Sequence, residues 1–154
     1  MVTKDVLVVD TESTDDTADV ARSMGCKVLS FPYHRYVEPS REFAIQAAQG
    51  KWVLILDADE CITPELAQEV KNIVIYSPHT HFYIPRKNIF ARKKWLKYGG
   101  WYPDKVLRLM KKSDFKKWPH AIHSTPIILG SKGELREPFL HYFHPNLENM
   151  VQKQ

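Results

Sequence analysis

An apolar segment that runs directly into two aspartates places the strongest constraint on how this chain can fold. Val53 to Leu56 are four consecutive apolar residues, and Asp57 and Asp59 follow with one alanine between them. Such a run, without polar alternation, is typical of a strand in a parallel sheet covered on both faces. Ligands bind at the carboxyl edge of these sheets. Two carboxylates at that edge are suited to hold a hard divalent cation that carries phosphate oxygens.

A simpler interpretation of the two aspartates is that they cap the helix predicted to start at Thr63-Pro64-Glu65. The preceding residues favour a binding edge, because Asp10 ends a second apolar run of the same kind. The segment Thr11 to Thr17 then carries the hydroxyls and acids of a helix start. Both apolar runs are therefore predicted to end in an acid at the same edge of a sheet.

Strand and helix patterns alternate along the first half of the chain. The predicted elements are a strand at 6–10, a helix through 18–22 that ends at Gly25, a strand at 27–31, a helix at 39–48 and the strand before Asp57. This alternation predicts an α/β fold with a mostly parallel, Rossmann-like sheet flanked by helices. The second half is richer in strands, which are predicted at 82–85, 106–110, 125–129 and 138–142.

The chain of 154 residues shows no repeat, low-complexity tract or linker, so a single domain over 1–154 is expected. Its tail, Pro145 to Gln154, has the pattern of the start of a helix. Two cysteines cannot build a disulfide framework, and Cys61 is interpreted as a small packed residue rather than a reactive thiol.

Several segments, in the order in which they occur, resemble one enzyme family. They are Val8–Asp15 (VVDTESTD), Arg41–Gly50 (REFAIQAAQG), Trp52–Asp59 (WVLILDAD), Ile62–Leu66 (ITPEL), Gly100–Asp104 (GWYPD), Val106–Met110 (VLRLM) and Pro138–Tyr142 (PFLHY). Together they resemble glycosyltransferase family 2. The last three resemble a subgroup of that family that builds lipopolysaccharide cores and related glycans. The ordered succession is more specific than any single motif.

The resemblance implies a GT-A fold and the transfer of a sugar from a nucleotide-diphosphate sugar to a glycan or lipid-linked acceptor. It assigns residues 1–85 to the nucleotide-sugar half and residues 86–154 to the acceptor half. By their place in the motif, Asp57 and Asp59 would bind Mn²⁺ or Mg²⁺ together with the diphosphate of the donor. A metal there would neutralise the leaving diphosphate.

Four further roles follow from the resemblance. Asp10, or its neighbour Thr11, would contact the nucleoside of the donor. Arg41 matches a family arginine near the donor nucleotide and its phosphates, where a guanidinium forms a planar clamp. Asp104 matches the general base, a carboxylate that deprotonates the acceptor hydroxyl for inversion at the anomeric carbon.

The chain differs from the family pattern in two places. Family members begin with another strand and helix, and this chain starts at what would be the second strand, so it is expected to be N-terminally truncated. The missing strand would lie between the Asp10 and Asp57 strands, where another chain could supply it. The chain also has Ser124 after His123, where the subgroup usually has glutamate. These departures support an alternative function, a partial GT-A module that binds without turnover.

Positive charge is concentrated in one segment. Residues 86–117 hold 12 Lys and Arg against two aspartates, and aromatic residues lie among them, whereas residues 1–85 hold 7 basic against 13 acidic residues. Such a surface suits an anionic membrane face or a phosphate-bearing acceptor, or is simply a solvated face. A basic membrane-surface or nucleic-acid-binding protein is the third candidate. No nucleic acid partner is expected, because no recognised nucleic-acid motif accompanies the charge.

Neither a signal segment nor an apolar run long enough to cross a membrane is apparent, so a cytoplasmic location is predicted, peripheral at the inner face of the cell membrane. Two histidine pairs, His120 with His123 and His141 with His144, raise the question of zinc. No cysteine lies near them and neither pair is on a predicted helix, so hydrogen-bonded structural histidines are favoured. A place near the diphosphate is the functional alternative for His123 or His141.

Overall fold

The structure of the protein, a computed structural model, describes residues 2–119 and 122–144. In chain order its elements are β1 (Leu7–Asp10), α1 (Thr17–Ser23), β2 (Lys27–Ser30), α2 (Glu38–Ala47), β3 (Trp52–Leu54), β4 (Glu60–Cys61), α3 (Pro64–Tyr76), β5 (His81–Phe90), β6 (Lys94–Trp95), β7 (Asp104–Lys111), a 3₁₀ helix (Lys112–Asp114), β8 (Phe115–Lys117), β9 (Ile127–Ile128), β10 (Lys132–Glu134) and β11 (Phe139–His141). The predicted α/β class is confirmed. The expectations for His120 and for the tail from Pro145 fall outside the described residues.

The chain forms two compact units, each made of two segments. Of the described residues, the first unit contains 3–53, 110–119 and 122–130, and the second contains 54–109 and 131–144. The expected single domain over 1–154, with halves that meet at residue 85, stays a prediction. Within the described part of the chain, no helix has both the length and the apolar character needed to span a membrane.

The first unit begins with the predicted strand–helix–strand pattern. Strands β1 and β2 pair in parallel, with Asp10 opposite Ser30. Helix α1 between them ends as predicted, because Gly25 follows it with a φ of 79°, in the left-handed region that glycine adopts readily. Helix α2 ends where the ammonium group of Lys112 donates to the carbonyl oxygen of Gln46 at 2.8 Å. The local sequence signals therefore predicted the positions of both helices.

The strand before the two aspartates differs from its prediction. We expected it to be buried on both faces, but β3 ends at Leu54 and its three residues are only half-buried. The chain leaves the strand early because Asp57 to Glu60 form a turn that starts β4. The backbone N–H of Ile55 still donates to the carbonyl oxygen of Arg108, at 2.9 Å.

The main sheet runs in the order β3-β7-β5-β11-β4, and β6 and β10 also pair with β5. Strand β5 is parallel to β10 and β11, whereas β4 is antiparallel to β11 and β6 is antiparallel to β5. The core of the second unit is made of Leu66, Val70, Phe82, Ile84, Leu107, Leu109, Leu135 and Phe139. Burial of these side chains fixes the sheet, and with it the polar residues on neighbouring strands.

Helix α3 is capped by a hydroxyl group rather than by the two aspartates. The Thr63 side chain accepts a hydrogen bond from the N–H of Leu66 at 3.1 Å, and Pro64 occupies the first turn. The interpretation of Asp57 and Asp59 as caps of this helix is therefore wrong.

Candidate active site

The two aspartates lie in a tight turn, which we call the acidic turn (Asp57 to Glu60). The N–H of Glu60 donates to the carbonyl oxygen of Asp57 at 3.0 Å, and the N–H of Asp57 donates to Oε2 of Glu60 at 2.9 Å. The turn is joined to β11, because the N–H of Tyr142 donates to the carbonyl oxygen of Asp59 at 2.8 Å. The turn is thus fixed by backbone bonds on both sides.

Arg108 neutralises one side of the acidic turn. Its Nη2 lies 2.6 Å from Oδ2 of Asp57 and 2.8 Å from Oε1 of Glu60. Arg108 is 4% exposed, and the Glu60 side chain is fully buried. A buried carboxylate requires such a partner, since an uncompensated charge in the interior is costly. Asp57 is consequently committed, at least through Oδ2, to an ion pair within the protein.

Asp59 has a different environment from Asp57. Its side chain is 51% exposed, and Nε2 of His141 lies 3.5 Å from its Oδ2. Burial lowers the pKa of His141, and the positive charge of Arg86 lowers it further, against the opposite influence of nearby acids. The His141 imidazole is therefore neutral at physiological pH.

Asp104 is held by one of its two carboxylate oxygens. Its Oδ2 accepts from Nε of Arg86 at 2.8 Å and from Nδ2 of Asn88 at 3.1 Å, and Nη2 of Arg86 lies 2.6 Å away. The Asp104 side chain is 28% exposed. No hydrogen bond between described residues involves Oδ1, which leaves that oxygen able to accept a proton from a bound hydroxyl group.

Asn88 connects the Asp104 and Asp59 sides of the site. Its Oδ1 lies 2.6 Å from Nδ1 of His141, and its Nδ2 donates to the carbonyl oxygen of Trp101 at 3.0 Å as well as to Asp104. Because Oδ1 can only accept, Nδ1 of the neutral imidazole carries the proton and Nε2 presents a lone pair. Two acceptors, Nε2 and Oδ2 of Asp59, therefore face each other, an arrangement that suits a cation.

The sheet explains why these side chains meet. Arg86 and Asn88 are two residues apart on β5 and so share one face. Asn88 is the register partner of His141, and His141 is the register partner of Glu60. Three neighbouring strands thus place one polar residue each in a single row, and β7 brings Arg108 to the same acids.

Three of the predicted donor residues, Asp10, Thr11 and Arg41, lie in the first unit, whereas Asp57 lies in the second. Thr11 lines a pocket of about 180 Å³. The other lining residues are Phe31, Pro32, Tyr33, His34, Arg35, Tyr36, Val37 and Ser40. Asp10, at the end of β1, accepts a 3.4 Å hydrogen bond from the N–H of Ser13 and does not line this pocket. Arg41 lies over the Trp118 ring at 5.4 Å and also lies outside the lining.

Ser124, which replaces the subgroup's glutamate, has a local structural role. Its hydroxyl group donates to the carbonyl oxygen of Pro119, and its own carbonyl oxygen accepts from Nε1 of Trp118 at 3.0 Å. The preceding N–H, that of His123, donates to Oε1 of the buried Glu38 at 2.9 Å. Among residues 2–119 and 122–144, no group of three or more His, Cys, Asp or Glu residues is arranged to hold a metal ion.

The sequence pattern missed four residues of the site, namely Glu60, Arg86, Asn88 and Arg108. One of them carried a usable signal, because Arg108 interrupts an otherwise apolar strand and a charge there requires a buried partner. The other three do not stand out by spacing. Their importance comes from the pairing of strands that are distant in sequence.

Residues 3–129 match the family described as Glycosyl transferase family 2. The chain belongs to this family. An uncharacterized glycosyltransferase of Rickettsia typhi is 43% identical over 72 residues, which is 47% of this family 2 chain and 24% of the relative. A similar protein of Rickettsia conorii is 43% identical over 72 residues, which is 47% of the chain and 25% of the relative. The chain thus spans about a quarter of the length of these curated relatives.

A solved structure supports the fold. The chain is similar to S. aureus TarS 1–349, crystallised in complex with UDP, with a TM-score of 0.62 and 16% identity over 96% of this chain and 53% of that one. At this identity the similarity establishes the fold alone, and the predicted GT-A class is confirmed. The lipopolysaccharide-core subgroup and the missing first strand–helix unit stay predictions for this family 2 chain.

Proposed function

We propose that this family 2 chain transfers a sugar, with inversion, from a nucleotide-diphosphate sugar to a hydroxyl group of a glycan or lipid-linked acceptor. One observation carries the proposal. The second unit places two acids with different environments around the Asn88–His141 pair: Asp59, half exposed, lies 3.5 Å from Nε2 of His141, and Asp104 is held by one oxygen through Arg86 and Asn88. Carboxylates in distinct environments are suited to distinct roles in one reaction.

Asp104 is the general base of this proposal. Its Oδ1 takes the proton of the acceptor hydroxyl group while the acceptor oxygen forms a bond to the anomeric carbon. The bond between that carbon and the diphosphate oxygen breaks on the opposite side, and the diphosphate leaves with the electron pair. Arg86 and Asn88 orient the carboxylate through Oδ2, so Oδ1 is held in a fixed position to receive the proton of the acceptor hydroxyl group.

Asp59 and His141 are the residues that would hold Mn²⁺ or Mg²⁺. The donor set fits, because a half-exposed carboxylate oxygen and an imidazole lone pair face each other 3.5 Å apart. A bound cation would stabilise the negative charge of the departing diphosphate. Asp57 supports this site by fixing the acidic turn through Arg108, and its direct contact with metal or donor stays a prediction.

The pocket of the first unit is the proposed site of the donor nucleoside. Thr11 lies in its lining together with aromatic side chains, among them Phe31 and Tyr33, which provide apolar faces for a base. TarS was solved in complex with UDP, which favours a uridine nucleotide as the first to test. The contacts proposed for Asp10 and Arg41 rest on the family motifs.

Substitution Asp59→Ala tests the donor site. We expect the variant to lose Mn²⁺-dependent binding of nucleotide diphosphates while it stays folded, because the half-exposed carboxylate supports no buried structure. Calorimetric titration of a nucleotide-diphosphate panel, with and without Mn²⁺, measures this loss. Asp5→Ala, at an exposed acid of the first unit, is the matched control.

Equal binding of nucleotide and Mn²⁺ by Asp59→Ala and by the parent chain would refute the assignment of this motif. Metal-dependent nucleotide binding by a parent chain that transfers no sugar would support the alternative of a partial module. Ser124 favours that alternative, since its polar groups are used within their own loop.

We also propose that the chain contacts the anionic inner face of the cell membrane through a basic segment, residues 92–98. Arg92, Lys93, Lys94 and Lys97 are exposed. Tyr98 is 85% exposed. The ammonium group of Lys97 lies 4.4 Å from the Trp95 ring centroid. Exposed cations beside an aromatic tip fit an anionic lipid surface, where each cation contributes about 1 kcal/mol.

The double substitution Lys93→Gln with Lys94→Gln is expected to weaken binding to vesicles that contain anionic lipid by about 30-fold, from the loss of roughly 2 kcal/mol. Co-sedimentation at low salt measures the effect. The control variant Lys71→Gln with Lys132→Gln removes the same charge from exposed sites elsewhere. Equal loss in both variants would mean that net charge, not this segment, attracts the membrane.

A further inference from the structure

Asn88 is buried at the centre of the site and would itself contact none of the reacting atoms in the proposed transfer. It is 2% exposed, lies on the central strand β5 and makes its hydrogen bonds to three different partners. A buried amide is stabilising only when its donors and its acceptor are satisfied. An apolar side chain would be usual at such a buried position, so the polar side chain calls for an explanation.

The partners of Asn88 determine the orientation of its amide group. One end faces two oxygens that can only accept, the carbonyl oxygen of Trp101 and Oδ2 of Asp104, and must therefore be the NH₂ group. The other end is then the carbonyl oxygen, which faces Nδ1 of His141 at 2.6 Å. Rotation of the amide by 180° would place oxygen against oxygen in two contacts.

This orientation fixes the imidazole of His141. The Asn88 oxygen accepts the proton of Nδ1, so Nε2 points its lone pair at the half-exposed carboxylate of Asp59. Without that acceptor, the proton would be better placed on Nε2, where it would form a hydrogen bond to Asp59. The imidazole would then lack a lone pair on the side that faces Asp59.

The same amide group also fixes the orientation of Asp104, the proposed general base. Its NH₂ group and the guanidinium of Arg86 meet at one oxygen of Asp104, so Oδ2 is occupied by donors and Oδ1 is left for the acceptor hydroxyl. One planar group thus determines which atom of His141 and which atom of Asp104 face the reactants.

We propose that Asn88 is a positioning residue that sets the tautomer of His141 and the orientation of Asp104 at the same time. The inference deepens the proposed function and rests on it. It adds that the amide couples donor binding to base catalysis. His141 needs a hydrogen-bond acceptor and Asp104 needs a donor, and only a side chain that carries both groups serves the two residues at once. This requirement explains why the position holds an asparagine rather than an acid or an apolar residue.

Two variants distinguish the role of the amide oxygen, which faces His141, from the role of the NH₂ group, which faces Asp104. Asn88→Leu removes the donor and the acceptor, whereas Asn88→Asp has nearly the same shape, keeps an acceptor for His141 and loses the donor to Asp104. Asn72→Leu, at an exposed amide on α3 that accepts from Gln68, is the matched control. Circular dichroism of each variant establishes that it is folded.

The first readout is nitrogen NMR of the imidazole in the chain without ligand, at about pH 9, well above the ordinary histidine pKa of about 6.5. We expect the proton on Nδ1 in the parent chain, in Asn88→Asp and in Asn72→Leu. In Asn88→Leu we expect it to shift to Nε2. A proton that stays on Nδ1 in Asn88→Leu would overturn the proposal.

The second readout is sugar transfer. Asn88→Asp is expected to lose about 10²-fold in kcat with an unchanged KM for the donor, because the base is disordered while the imidazole is not. Asn88→Leu is expected to lose donor affinity as well. If Asn88→Asp and Asn88→Leu lost kcat to the same extent and donor affinity to the same extent, the proposal that Asn88 couples donor binding to base catalysis would be overturned. If the parent chain shows the expected tautomer but transfers no sugar, the proposed function fails and the role of Asn88 toward His141 stands.

Discussion

Replacement of Asp104 by asparagine is expected to lower kcat for sugar transfer by about 10²- to 10⁴-fold, the range that a general base contributes. Donor binding is expected to persist, because Asp104 contacts Arg86 and Asn88 rather than the acidic turn. An amide in this position cannot take the acceptor proton. The measurement is steady-state transfer with the nucleotide sugar that calorimetry identifies, together with titration of that nucleotide into the variant.

The control for Asp104→Asn is Asp114→Asn, at the other aspartate of residues 86–117. That aspartate lies in the 3₁₀ helix of the first unit, outside the network around β5. Parallel loss of transfer and nucleotide binding in Asp104→Asn would contradict the assignment and make Asp104 a structural residue that holds Arg86 in place. Unchanged transfer would require a different base.

Replacement of Arg108 by methionine is expected to destabilise the fold by about 3–5 kcal/mol, the cost of removing one partner of a buried ion pair. The fully buried carboxylate of Glu60 would lose its 2.8 Å contact and keep the 2.9 Å hydrogen bond from the N–H of Asp57 and the more distant charge of Arg86, whose Nη1 lies 3.7 Å away. Domains of this size have a total free energy of unfolding of about 5–15 kcal/mol. The loss is measurable by urea unfolding, and nucleotide binding should fall with it because the acidic turn loosens.

The control for Arg108→Met is Arg22→Met on helix α1. Arg22 forms a 2.7 Å pair with Asp19, but both side chains are largely exposed. Solvent screens such a pair, so the change in stability should stay below about 1 kcal/mol. Similar losses in the two variants would show that the pairing of Arg108 with the acidic turn adds nothing to the fold.

Local sequence signals predicted the elements of the first unit well. The start of α1 at Thr17, Gly25 after it and the strand at 27–31 correspond to the predictions, because each depends on residues that are close in sequence, whereas the predicted hydroxyl cap is absent and Asp16 precedes the helix without a side-chain cap. The strand before Asp57 was predicted to be longer and more buried than β3 is. An apolar run indicates that a segment tends to be buried, but it does not indicate where the strand ends. Here the strand ends at Leu54, before the apolar run is over, because the chain enters the turn stabilised by Glu60.

The site was predicted only in part, for a physical reason. Asp59 and Asp104 stand out because acids that follow predicted strands or lie in family motifs can be recognised from the sequence alone. Their partners Asn88 and His141 are 53 positions apart and meet only through the pairing of β5 with β11. No local pattern contains that register, so the hydrogen bonds that set each atom's role required the structure.

Strand β11 bears on how the protein should be divided for biochemical work. The family match ends at residue 129, whereas β11, at Phe139–His141, lies between β4 and β5 in the sheet and supplies the His141 ring. A fragment that ends at residue 129 would lack β11, leave the edges of β4 and β5 that face it unpaired, and lose one of the two residues proposed to hold a metal ion. Such a fragment would be prone to aggregation. A clone of this chain should therefore extend past β11, and failure of a shorter clone would reveal nothing about the proposed sugar transfer.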